Sequence, residues 1–217
     1  MHGCSQVLNL KLAGHRLKLK RLADLETLWS GLQEKCTDMD QERIPYWAEV
    51  WPSSVLLAEH LDRSRELIRE RLCLEVGCGL GATSILASRL GARVMAVDME
   101  PHALVFARQN AKANNTPDVF WAGMDWKRNA LKKHIFEFIW AADVLYETGL
   151  ALPLADFLRD CLAPRGRIWI ADQERNVSGT AWSKLLSMGF KARELEGRKV
   201  SWFGQKASVR LVELVRR

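Results

Sequence analysis

Residues 74–84 read LEVGCGLGATS: an apolar run ending at Val76 gives way to a turn holding Gly77, Gly79 and Gly81, and a helical pattern resumes at Ala82. Strand, glycine turn and helix in that order form the nucleotide-gripping element of a parallel α/β protein, because glycine enters the left-handed region cheaply and lets backbone N–H groups approach a ligand. The spacing of Gly77, Gly79 and Ala82 satisfies the dinucleotide fingerprint. Glu75 qualifies that reading. A carboxylate two residues before the first glycine repels a pyrophosphate and attracts a ligand with ammonium or sulfonium charge. The turn's free N–H groups and the N-terminus of the next helix are then left to receive a carboxylate.

Outward from this stretch, short apolar runs alternate with helical ones. LCLEV (72–76), ARVMAVD (92–98), VFWAG (119–123), IFEFIWAADVL (135–145) and GRIWIADQ (166–173) read as buried strands. GATSILASRLG (81–91), PHALVFARQNAKANN (101–115), LALPLADFLRDCL (150–162) and SGTAWSKLLSMG (178–189) read as helices. Pro101 at a first helical position and Asn114–Asn115 at the far end punctuate one of them. Continuous apolar strands joined by helices predict a doubly wound, mostly parallel α/β sheet of the Rossmann-like class. FKARELE (190–196) and SVRLVELVRR (208–217) follow with no long helix between them, so they predict an antiparallel edge hairpin. Near the start, residues 6–35 read as a small β element and then a helix. TDMDQERIPYWAEVWPSS (37–54) is loop-like, with Pro45 and Pro52 as breakers, and residues 53–71 return to helical spacing. No repeat, low-complexity tract or linker divides the chain. One domain over 1–217, with residues 1–45 as an extension packed on it, is the economical expectation.

The 217 residues are 48% hydrophobic and 27% charged, enough for one real core. No window of about 18 uncharged apolar residues occurs, and the first twenty residues lack the apolar stretch of a signal peptide, so a cytoplasmic protein without a membrane span is expected. Five cysteines, Cys4, Cys36, Cys73, Cys78 and Cys161, form no CxxC pair, and the five histidines form no HxxxH pattern. Neither a disulfide framework nor a metal site is expected. Net charge is +6, with an excess of five positive charges in residues 191–217. That excess suits a solvated face or, equally, a patch for a partner with an acidic surface; nucleic acid is permitted but has no aromatic-plus-basic motif to support it.

In a doubly wound sheet the ligand lies at the carboxyl ends of the strands. The candidate groups fall there: Glu75 to Gly81, Asp98 and Met99, Asp125 and Trp126, Asp143 to Tyr146, and Asp172 to Glu174. Asp98 follows its strand 21 residues after Gly77, where a carboxylate accepts from both hydroxyls of a ribose. Asp125 offers an acceptor to an adenine amino group, with Trp126 beside it as a stacking face. Together with Glu75 and a chain too short to bring a second domain to a nicotinamide, these favour S-adenosylmethionine over NAD.

The stretch 74–104 resembles the first two motifs of the class I, seven-strand methyltransferases that use S-adenosylmethionine. PYWAEVWPSSVLLAEHL (45–61), GMDW (123–126) and ADVLY (142–146) are similar to a narrower group, the family 16 methyltransferases, many of which methylate protein lysines. The resemblance implies that Trp51 packs on the methionine end of the cofactor and that Glu75, Gly77, Gly79 and Gly81 line it. It also implies that Asp98 holds the ribose, that Met99 flanks the adenine with Asp125 and Trp126, and that Ala142 lies beneath the methionine end. Asp143 and Tyr146 would face the substrate as catalytic residues. Trp47, paired with Trp51, would embrace cationic groups of a protein substrate. A small-amine or RNA methyltransferase, or a silent cofactor-binding module, stands as the alternative.

Overall fold

The computed structural model describes residues 5–22, 46–116, 118–145, 149, 151–174 and 176–217, the side chains of 176–181 aside. Strands β1 (Ser5–Leu12) and β2 (His15–Leu22) form an antiparallel hairpin turned at Ala13–Gly14. After a 3₁₀ turn (Tyr46–Ala48) come α1 (Pro52–Arg63) and a one-turn helix (Arg65–Ile68). The alternating body then runs β3 (Leu72–Val76), α2 (Ala82–Arg89), β4 (Arg93–Asp98), α3 (Pro101–Ala113), β5 (Phe120–Gly123) and β6 (Phe136–Ala142). It ends with α4 (Ala151–Cys161), β7 (Leu162–Gln173), α5 (Asn176–Ser187), β8 (Phe190–Trp202) and β9 (Gln205–Arg216).

The large sheet has the order β5-β4-β3-β6-β7-β9-β8. Strands β3 to β7 pair in parallel, while β9 pairs antiparallel with both β7 and β8. The order reverses between β3 and β6, which opens the crevice where such sheets hold ligands. Period-two alternation assigns the two faces: Leu74, Val76, Ile139 and Ala141 pack with α4 and α5, whereas Cys73, Phe138 and Trp140 pack with α1. Leu56, Leu57 and Leu61 of α1 are fully buried, each contributing about 1.5–3 kcal/mol.

Helix α2 is buried on every side from Ala82 to Ser88 because the hairpin adds a third layer. Leu8, Leu10, Leu12, Leu17 and Leu19 close over Ile85 and Leu86. The expected edge hairpin is present and longer than its apolar runs. Its outer residues, Arg198 and Lys199 among them, are exposed, and an exposed strand face needs no apolar pattern. The helix expected after residue 22 lies outside the described residues. Among the described residues, no helix is long and apolar enough to cross a membrane.

Candidate active site

The glycine loop leaves β3 at the switch point. Gly77, Gly79 and Gly81 all have positive φ. Two of them are also fixed by space. A Cβ on Gly77 would meet Val144 Cγ1 at 2.9 Å across the crevice, and one on Gly81 would meet the Trp121 ring at 2.7 Å. The N–H groups of Gly77 and Cys78 both donate to the Val97 carbonyl (2.9 and 3.1 Å), so the loop hangs on the end of β4.

Glu75, which the sequence suggested would line the cofactor, is buried where β3 ends. Its residue in β3 pairs in register with Trp140 of β6, and its carboxyl is buried below the loop. The hydroxyls of Thr83 and Ser84 donate to its two oxygens, and the Ser84 backbone N–H adds to them. The first turn of α2 is therefore capped from within by Glu75, where a carboxylate also complements the helix dipole. Burial pushes the Glu75 carboxyl up to about 7, against the pull of these hydrogen bonds.

A pH dependence follows. In the unfolded chain this carboxyl ionises near its ordinary 4.5, while in the folded chain it keeps its proton until about 7. The folded state binds the extra proton, so this group's contribution to stability falls as pH rises from about 4.5 to 7. Glu75→Gln keeps partners for both hydroxyls and cannot titrate. Thermal melts across that window are expected to show a flatter slope in Glu75→Gln than in the parent; an unchanged slope would remove Glu75 as its source.

Asp98 closes β4 with a carboxylate only 8% exposed. Oδ2 accepts from Gly79 N–H (2.8 Å) and Oδ1 from Glu100 N–H (2.9 Å). Burial raises its pKa, and backbone hydrogen bonds from Glu100, Gly79 and Met99 oppose that shift. Met99 follows with an apolar side chain 41% exposed. After β5, Asp125, expected to read the adenine, accepts from Lys127 N–H at 3.0 Å through Oδ1 and caps the 3₁₀ turn Trp126–Arg128. Trp126 packs against the α4 side of the core, its buried indole N–H without a partner among the described residues.

Across the crevice, Ala142 ends β6 and Asp143 follows in the left-handed region, φ 54°. Such strain in a non-glycine residue gathers at functional sites. The chain holds it there: Asp143 N–H donates to Ala171 O (2.9 Å), and the carboxylate accepts from Gln173 N–H (3.3 Å) and Gln173 Nε2 (3.0 Å). Gln173 had no assigned role in the sequence; its place at the end of the neighbouring strand was the available signal. Beside it, buried Asp172 accepts from Trp182 Nε1 (3.4 Å), and Arg210 lies 5.0 Å over the Trp182 ring. Tyr146 lies outside the described residues.

The two tryptophans part company. Trp51 Nε1 donates to Tyr46 O (2.8 Å), and the Trp51 ring lies 5.9 Å from that of Tyr46. Trp47 sets its backbone against Gly79 and its ring on His102 (6.3 Å, 17°) and Phe106 (5.7 Å) of α3. Trp47 thus walls the loop on its α3 side, and no ring contact joins the two tryptophans among the described residues. The thiols of Cys73 and Cys161 are buried and pushed up to about 12, inert as nucleophiles.

Comparison with known proteins places this geometry in a wider setting. The profile of a family described as lysine methyltransferase matches residues 38–188. A histone-arginine methyltransferase of Mus musculus, METTL23, is 34% identical over 109 residues, 48% of this chain and 43% of that protein. The electron transfer flavoprotein beta subunit lysine methyltransferase of Danio rerio is 31% identical over 140 residues, 60% of this chain and 51% of that protein. The chain thus spans about half the length of these relatives. Among solved structures, the T. thermophilus 16S rRNA methyltransferase RsmC, in complex with AdoMet and guanosine, superposes with TM-score 0.68 at 15% identity over 98% of this chain and 51% of that one. A TehB-like methyltransferase of Corynebacterium glutamicum gives 0.54 at 15% identity over 88% and 96%. At these identities the likeness is one of fold.

Proposed function

The chain belongs to the lysine methyltransferase family, and on that premise we propose that it is an S-adenosylmethionine-dependent N-methyltransferase acting on lysine side chains of a protein. The residues present fit the cofactor. Met99 offers an exposed apolar side chain beside the buried carboxylate of Asp98, which is the pairing that an adenine ring and a ribose diol require. The backbone of Gly77, Gly79 and Gly81 lines the cofactor in this reading, with Trp51 and Ala142 at its methionine end and Asp125 and Trp126 toward the adenine. Bound there, adenosylmethionine supplies an electrophilic methyl group on a sulfonium.

The chain must do the rest: deliver a neutral amine, align it with the breaking bond and exclude water. A lysine ammonium with an ordinary pKa of about 10.4 loses its proton more readily once desolvated. Asp143 orients the amine through a hydrogen bond, its own carboxylate fixed by Gln173. Tyr146 takes a second hydrogen bond from the reacting nitrogen, a role that rests on the sequence alone. The single observation that carries this reading is Asp143, held in a strained conformation at the carboxyl end of β6, opposite the glycine loop.

The net charge of +6 suits a substrate protein with an acidic surface. A second reading, arginine as the methylated side chain, is favoured by the histone-arginine relatives. Incubating the protein with methyl-labelled cofactor and a proteome lacking it, then hydrolysing to amino acids, separates the two. Label in methyl-lysine is expected, label in methyl-arginine selects the second reading, and label in RNA or in nothing overturns both.

A further inference from the structure

The β1–β2 hairpin is tied to the rest of the molecule by two asparagines. Asn110 and Asn114 stand four residues apart on one face of α3, about 6 Å along the axis. Lys18 and Lys20 are alternate residues of β2, about 6.8 Å apart, and so present backbone groups to the same side. The two spacings nearly match, and each side-chain amide meets the strand as another strand would. Asn114 Oδ1 accepts from Lys18 N–H (3.0 Å) and its Nδ2 donates to Lys18 O (2.7 Å). Asn110 Oδ1 accepts from Lys20 N–H (2.6 Å) and its Nδ2 donates to Lys20 O (3.1 Å).

Asn110 does one thing more. Its Nδ2 also donates to Leu80 O at 3.1 Å, and Leu80 lies between Gly79 and Gly81 in the loop. The residue is fully buried, and the Leu80 side chain packs among the hairpin leucines. Asn114 has no such bond. Its remaining amide contacts go to Asn110 O (2.8 Å) and to Arg89, which donates to its Oδ1 (3.5 Å) and to its backbone carbonyl.

We propose that Asn110 is a positioning residue for cofactor binding, fixing the Leu80 carbonyl and hence the glycine loop to the docked hairpin. This rests on the reading that the loop holds adenosylmethionine. A loop of three left-handed glycines has little conformational preference of its own, so its bound shape must come from outside contacts. Gly79 N–H is held by Asp98 on the β4 side, and Leu80 O by Asn110 on the other. The hairpin is then part of the binding machinery although no residue of it needs to touch the ligand.

Asn114→Ala supplies the control, since it strips an equal share of hairpin docking without reaching the loop. Both Asn110→Ala and Asn114→Ala are expected to lower the melting temperature. Only Asn110→Ala is expected to weaken adenosylmethionine, by about tenfold in calorimetric Kd and in cofactor KM, with kcat at saturation unchanged. Hydrogen exchange of the amides of residues 77–82 in the ligand-free protein is expected to quicken in Asn110→Ala and not in Asn114→Ala. If Asn110→Ala does not fold, Asn110→Asp at pH 8, which keeps the acceptor for Lys20 N–H and sets a second acceptor against Leu80 O, is expected to give the same pattern. Equal effects of the two alanine variants on affinity and exchange, or a changed melting temperature with an unchanged loop, overturn the proposal. A parent protein that binds no adenosylmethionine overturns the functional reading instead, and the exchange comparison still decides the role of Asn110.

Discussion

Asp143→Asn is expected to lower kcat for methyl transfer at least about a hundredfold while leaving the adenosylmethionine Kd within about threefold of the parent. Asparagine is the informative substitution because of the backbone. Asp143 sits at φ 54°, a region where asparagine and aspartate are the best tolerated non-glycine residues. Alanine there would add strain of about 1 kcal/mol to the chemical loss. The amide keeps the shape of the carboxylate and the Asp143 N–H bond to Ala171 O. It cannot accept from the Gln173 backbone N–H and from Gln173 Nε2 on separate oxygens, as the carboxylate does. It also presents no charge to an incoming amine. Calorimetry for the cofactor and single-turnover transfer to the substrate protein measure the two quantities separately. A parallel loss of affinity and rate would place Asp143 with the cofactor or with the fold of the crevice rather than with the substrate.

The body of the fold was open to reading because its strands are buried on both faces. β3 was legible at Leu72–Val76 to the residue, since LCLEV is bounded by charged residues before it and glycine after it. The antiparallel edge was legible from the missing helix between its two runs. The site was legible only as a set of positions. Where the chain turns back on itself, the partners could not be foreseen: Glu75 meets Thr83 and Ser84 only because the glycine loop brings the start of α2 over the end of β3. The charge argument built on Glu75 therefore named its place at the end of β3 and not these partners. Asn110 was hidden for a different reason. Its partner in β2 is 90 residues away, and asparagine within a helical run reads as a weak helix former near a C-cap rather than as a clamp. Trp47 illustrates the remaining limit: the rings of two tryptophans four residues apart around a turn flanked by Pro45 and Pro52 go to different neighbours, which spacing alone does not reveal.

Asp98→Ala is expected to raise the adenosylmethionine Kd at least about a hundredfold, because two charge-assisted hydrogen bonds to the ribose hydroxyls disappear together. An ionised carboxylate has about four acceptor positions. In this structure Gly79 and Glu100 N–H occupy one on each oxygen and the Met99 backbone adds a third contact, so the carboxylate keeps acceptor capacity to offer a diol. The same substitution leaves both buried N–H groups unpaired, at a stability cost of about 2–4 kcal/mol. The two effects must be distinguished. Asp98→Asn retains an acceptor for one N–H and most of the packing, and is expected to recover part of the melting temperature but little of the affinity, since a single amide oxygen cannot serve both a backbone N–H and two hydroxyls. Measured at saturating cofactor, kcat is expected to stay within about threefold of the parent in the asparagine variant, because Asp98 lies on the far side of the crevice from Asp143 and touches no reacting atom. If the asparagine variant binds adenosylmethionine as tightly as the parent while melting earlier, Asp98 is a staple for the glycine loop and the ribose must be held elsewhere, with Glu100 the nearest remaining carboxylate in the chain.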